Sequence, residues 1–194
     1  NHPETKDIFL PVHVEGSGHI LKNDLNNLKL SYQLGSLASG NITGTLKDLG
    51  KNSLQLDQNL KIDLAELAGQ LPENITTNLA ENLQGTTQIQ TSVTGTLDDN
   101  FFPVELKGMA NLGLEGLTTD IKLPSIHIEN LNTRITSPFE FNTKKGIRFS
   151  HLDIHTELQN AQAMNTFQVN ALKLNNKILM DGFHNLKSES GALP

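Results

Sequence analysis

The chain has 194 residues, a net charge of −6 and no cysteine. Its length fits one large domain or two small ones, and the missing cysteines exclude disulfide frameworks, thiol nucleophiles and thiolate metal sites. An acidic balance without a basic block argues against a dedicated nucleic-acid binder, and no apolar run of about 18 residues exists to form a membrane-spanning helix.

Taken from the amino terminus, apolar residues recur at every second position, the pattern of strands with one buried face. Ile8, Leu10, Val12 and Val14 alternate, as do Leu28, Leu30, Tyr32 and Leu34. Leu54 and Leu56, then Leu60, Ile62 and Leu64, continue the pattern. In the second half come Ile89, Thr91, Val93, Gly95 and Leu97, and then Val104/Leu106, Leu112/Leu114, Ile121/Leu123 and Ile126/Ile128. Phe139 and Phe141 precede a Thr143–Gly146 turn. Ile147, Phe149, Leu152 and Ile154 follow, with a phase change near Ser150. Phe167, Val169, Ala171, Leu172 and Leu174 contain another phase break, and Asn175-Asn176 reads as a hairpin turn into Ile178 and Met180. Strands of about 6–9 residues joined by turns predict an antiparallel meander.

Residues 63–83 depart from this period. Leu64 and Leu67 lie three apart, with Gly69 as the end of a first short helix. Leu71, Ile75, Leu79 and Leu83 lie four apart and line one helical face. Pro72 and Glu73 suit a helix start and Gly85 a left-handed stop, so a second helix is expected over 72–83.

An internal repeat, about 40–67 and 91–117, is also legible. Ile42-Thr43-Gly44-Thr45-Leu46-Lys47-Asp48 resembles Val93-Thr94-Gly95-Thr96-Leu97-Asp98-Asp99, and each is followed by the pairs Leu54/Leu56 and Val104/Leu106. Ile62/Leu64 correspond to Leu112/Leu114, and Leu67 to Leu117.

Three residue groups invite a chemical reading. His151, Asp153 and His155 share one strand face, with Glu157 beyond them, as a metal or catalytic set would. The plainer reading is a polar solvent face opposite Leu152 and Ile154. His13 and His19 flank Gly16-Ser17-Gly18, where a hairpin would bring them together, though a solvated pair is the simpler expectation. Asp98-Asp99-Asn100 reads as turn chemistry rather than a calcium loop. No Ser/His/Asp order supports nucleophilic catalysis. Neither an enzyme nor a cofactor or metal is expected.

The passage from Leu71-Pro72-Glu73 through Leu83-Gln84-Gly85 to Ser92-Val93-Thr94-Gly95-Thr96-Leu97, with Ile128-Glu129-Asn130-Leu131-Asn132 further on, resembles the AsmA/TamB-like superfamily of Gram-negative envelope proteins. The likeness covers about residues 60–135. It implies a mainly β fold, an elongated curved antiparallel sheet forming a β-taco or groove, with one or two short helices near residues 63–83. It implies a periplasmic body tethered to the inner membrane by an upstream helix outside this chain, and a part in outer-membrane lipid homeostasis or assembly. On that reading residues 1–194 are a single β-groove domain from a longer chain. Phospholipid or other acyl chains are its ligands, and envelope membrane proteins are candidate partners. The expected groove lining is Leu54, Leu56, Ile62, Leu64, Val104, Leu106, Leu112, Leu114, Ile126 and Ile128. The alternative is a structural or adhesion module of a surface protein, a β-sandwich or solenoid with a closed core.

Overall fold

The computed structural model describes residues 10–22, 24–47, 53–70, 81–121, 125–163 and 166–180. They form one open antiparallel sheet of ten strands and one short helix. The strands are β1 (Val12–Leu21), β2 (Asp24–Leu34), β3 (Ala38–Lys47), β4 (Ser53–Asp63), β5 (Glu81–Leu97), β6 (Pro103–Ile121), β7 (Ile126–Asn142), β8 (Gly146–Phe149), β9 (His151–Ala163) and β10 (Phe167–Leu179). Helix α1 (Leu64–Gln70) sits between β4 and β5. Spatial order follows chain order, so the sheet is the expected meander, with β8 pairing β7 beside β9.

The two-residue period decides which side chains meet. Cross-strand partners share a face, and the registers carry one apolar row after another across the sheet. Tyr32, Gly40, Leu60, Ile89, Leu112, Ile135 and Ile154 stand in one row. Leu28, Gly44, Leu56, Val93, Gly108, Phe139 and Phe149 stand in another. The opposite face carries the ionic and amide side chains, such as the row Lys61, Gln88, Gly113, Arg134, His155 and Asn175.

Nothing among the described residues covers the apolar face with a second sheet. Every substantial contact joins neighbouring strands, apart from the packing of α1 on β5 and β4. No hydrophobic residue among them is buried. The closed core of the sandwich alternative is therefore not formed by these residues.

Helix α1 starts where the sequence places it, because Asp63 caps it. Its Oδ1 accepts the Glu66 amide at 3.0 Å, and Ser36 Oγ donates to Glu66 Oε2 at 2.7 Å. Leu64 is thus the first residue of a helix and not a further position on the β4 face. Most of the second expected helix, residues 72–80, lies outside the described residues. Its last turn is corrected: residues 81–83 belong to β5. Asn82 (φ 54°) and Gly85 (φ 119°) adopt left-handed conformations where the β5–β6 register shifts, so Gly85 forms a bulge and not a helix stop.

Three further expectations change. Strands β5, β6 and β7 run 17, 19 and 17 residues, about twice the expected length. They stay in phase because bulges absorb each slip: Gly116 in β6 and Asn130 in β7 have positive φ where apolar spacing widens from two to three. Asn175-Asn176 makes no hairpin, since β9 offers a full-length partner and pairs them with His155 and Ile154. Gly16-Ser17-Gly18 likewise runs inside β1, with a register shift at Ser17/His19.

The internal repeat falls on the successive hairpins β3–β4 and β5–β6. Gly44 faces Leu56 and Gly95 faces Leu106. At both glycines an added Cβ would collide with the backbone and the leucine side chain of the next strand. The likeness ends after Ile62 and Leu112, for Leu64 and Leu67 turn into α1 whereas Leu114 and Leu117 continue β6.

The phase change near Ser150 has a specific cause. Within a strand a residue's N–H and C=O point to the same side. The Pro138 carbonyl accepts the Ser150 amide at 3.3 Å, so its missing N–H also faces the gap between β8 and β9. Ser137, 4% exposed, supplies the absent donor, with Oγ donating to the His151 carbonyl at 2.6 Å. Ser137→Ala should therefore cost about 1–3 kcal/mol, the penalty of an orphaned buried acceptor. A denaturant-unfolding midpoint shifted without change of slope is the expected result. Gly44→Val and Gly95→Val should each cost a similar or larger amount, about 1–3 kcal/mol from overpacking.

Candidate functional site

The feature that sets this chain apart is the open apolar face. Leu54, Leu56 and Ile62 stand on it from β4. Leu106, Leu112 and Leu114 stand on it from β6, with Val104 in the same phase. Ile126 and Ile128 carry it along β7. Nine of the ten expected lining positions thus share one surface, and Leu64 is the exception. Leu112 is 43% exposed and Val104 39%, so the face is accessible. The sequence pattern did not single out Tyr32, Leu30, Ile42, Leu60, Ile89 and Ile135 as lining, although they stand on the same face. Their alternation was the available signal.

The phenylalanines divide. Phe139 and Phe149 stack in a tilted pair on the apolar face, ring centroids 6.4 Å apart. Phe101 and Phe102 lie in the β5–β6 turn, where the Asp98 carboxylate accepts the Asn100 and Phe102 amides at 2.9 Å. That carboxylate oxygen is spent on the turn, as the turn reading of Asp98-Asp99-Asn100 requires.

The polar face holds the charged side chains and imidazoles of the strands. Its acids and imidazoles pair off along β9 and β10 and do not converge. His151 Nε2 meets Asp153 Oδ2 at 3.1 Å and Lys177 Nζ lies 3.7 Å from Asp153 Oδ1. His155 Nε2 meets Glu157 Oε1 at 3.2 Å, and its Nδ1 is hydrogen-bonded to Asn175 Oδ1. Lys173 Nζ donates to Glu157 Oε1 at 2.8 Å, and this bond, followed by that of His155, holds the Glu157 carboxyl below its ordinary range. Among the described residues no three such groups are placed to hold a metal ion. His13 bonds Glu15 at 3.0 Å, while His19 pairs with Asn26 further along the strand.

A cleft of about 590 Å³ lies on this polar face and was not foreseen from the sequence. It opens because Gly113 puts no side chain between Gln88 and Arg134. Its rim is amide-rich, with Gln90, Asn111 and Asn132 beside Glu115 and Glu157.

Another polar group ties β5, β6 and β7 together. Asp120 accepts Asn82 Nδ2 at 2.8 Å and meets His127 Nδ1 at 2.6 Å. These bonds, that of Asn82 first, lower the Asp120 pKa.

A scan of protein-family models found no match, and neither did searches of curated proteins and of solved structures.

The Asp120 cluster makes a pH prediction. A carboxyl lowered in the folded state adds stability above its unfolded pKa, and that stability is lost as pH falls through the folded value. Asn82→Ala should move the Asp120 titration upward, toward the ordinary aspartate range, when followed by carboxyl carbon NMR. An unmoved midpoint would mean that Asn82 does not stabilise the ionised form.

Proposed function

We propose that this chain binds or conducts lipid acyl chains, phospholipid chains in particular, on its apolar face, and does so without catalysis. The observation that carries the reading is the continuous aliphatic face, left without a covering layer among the described residues. A large accessible apolar surface marks a place where something apolar docks. Acyl chains suit it because each methylene removed from water contributes about 0.8 kcal/mol, so roughly 14 carbons bind well without polar contacts.

The sequence resemblance adds the setting: a periplasmic body, held to the inner membrane by a helix outside this chain, in outer-membrane lipid homeostasis. Partition of the two faces supports a conduit over an enzyme. The imidazoles and carboxylates of the strands stand on the polar face, away from the surface an acyl chain would touch.

Native mass spectrometry of protein purified from cells should show co-purifying phospholipid. Leu112→Asp sets a charge on an exposed position of the face and should weaken binding of a fluorescent fatty acid at least about tenfold, since an unpaired charge against hydrocarbon is costly. Circular dichroism should remain that of the native sheet. Lipid-free protein together with no fatty-acid binding would overturn the proposal.

A further inference from the structure

The apolar face is interrupted at one place. In the row between the two described above stand Leu30, Ile42, Gln58, Thr91, Ala110 and Ser137. Its central members are small or polar, while the flanking rows carry Leu60, Ile89, Leu112 and Ile135 on one side and Leu56, Val93 and Phe139 on the other. By register this is a furrow from β4 to β7 about 14 Å long, three strand spacings, with Gly108 leaving one flank open at β6.

The β4 end of the furrow is built in a particular way. Tyr32, the only tyrosine, reaches from β2 across β3 to β4. Gly40 permits this, for a Cβ there would fall on the end of the tyrosine ring. Gln58 Nε2 donates to the Tyr32 hydroxyl at 3.3 Å, and Thr91 stands directly opposite Gln58. The bond leaves the phenolic proton, the second Gln58 N–H and the Thr91 hydroxyl without a further partner among the described residues. Three donors thus face an apolar surface.

The charge around them is informative. By register, no Lys, Arg, Asp or Glu with a described side chain stands on this face of the strands. An anionic head such as a carboxylate or phosphate would lose its hydration and find no cation there. An uncharged acceptor fits: it takes neutral donors without that penalty.

We propose that Tyr32, Gln58 and Thr91 form a polar subsite for the ester carbonyl of an acyl lipid, whose chain lies along the furrow over Ala110 and Ser137. The proposal rests on the acyl-binding reading and adds to it a polar anchor and a ligand class, neutral esters before free fatty acids. Ser137 needs no partner from the ligand, because its hydroxyl is engaged by His151.

The test compares three probes of equal chain length on the whole chain at neutral pH: a long-chain fatty acid methyl ester, the matching alkane and the matching carboxylate. The ester should bind about five- to tenfold more tightly than the alkane, the worth of one or two hydrogen bonds, and more tightly than the carboxylate. With a carbon-13 carbonyl label, its infrared stretch should shift to lower frequency on binding. Tyr32→Phe combined with Gln58→Leu should bring the ester's affinity down to that of the alkane and abolish the frequency shift. The phenylalanine keeps a ring over Gly40, so a native circular dichroism spectrum is expected. If ester and alkane bind the native chain alike, with no carbonyl shift, the subsite is wrong and the acyl reading stands. If none of the three binds, the acyl reading falls and takes the subsite with it.

Discussion

Everything in this fold depends on strand register. In a single-layer sheet a slip of one residue turns every side chain of a strand to the other side. Here the apolar and ionic sets remain separate across ten strands, although three of the strands reach 17–19 residues. That separation is maintained by local exceptions. Asn27, Gly116, Asn130 and Ala171 adopt positive φ inside strands, each where consecutive apolar residues stand three apart instead of two. Left-handed backbone costs non-glycine residues free energy, and the return is a face that resumes its phase beyond the bulge.

The same register explains how a sheet without a second layer holds together. Interior strands satisfy their backbone groups on both sides, and the outer side adds cross-strand ion pairs and amide bonds such as Gln88–Asn59 and Thr136–Asn111. These polar ladders lie on the solvated side, where each contributes modestly. The aliphatic side gains only partial shielding from lateral neighbours. A ligand able to complete that burial would stabilise the folded state by mass action, so stability and loading are coupled in such an architecture.

Much of this was legible in the sequence, for identifiable reasons. Alternation marked the strands and the shared face, because in an extended chain successive side chains point to opposite sides. The phase changes near Ser150 and Ala171 marked the β8–β9 break and the β10 bulge. Strand length was misjudged because the two-residue period breaks at Gly116 and Asn130, and the pairing that carries β6 and β7 through those breaks shows only with the partner strand. Asn175-Asn176 misled for the same reason: its local preference for a turn yields to the pairing that β9 offers. The Tyr32–Gln58 contact and the Gly113 cleft were not legible, since both arise from residues on different strands whose register no local pattern states.

The paired hairpins β3–β4 and β5–β6 have a consequence for how such a molecule changes over evolutionary time. Each hairpin meets only its neighbours, so its insertion or loss lengthens or shortens the sheet by about 10 Å and leaves distant pairings intact. Among the described residues the outer strands β1 and β10 each have a partner on one side only, with Lys173 and Lys177 on β10 as charges of the kind that discourage accidental pairing. Reach then becomes a property that gene duplication adjusts in fixed steps, independently of the chemistry displayed on either side.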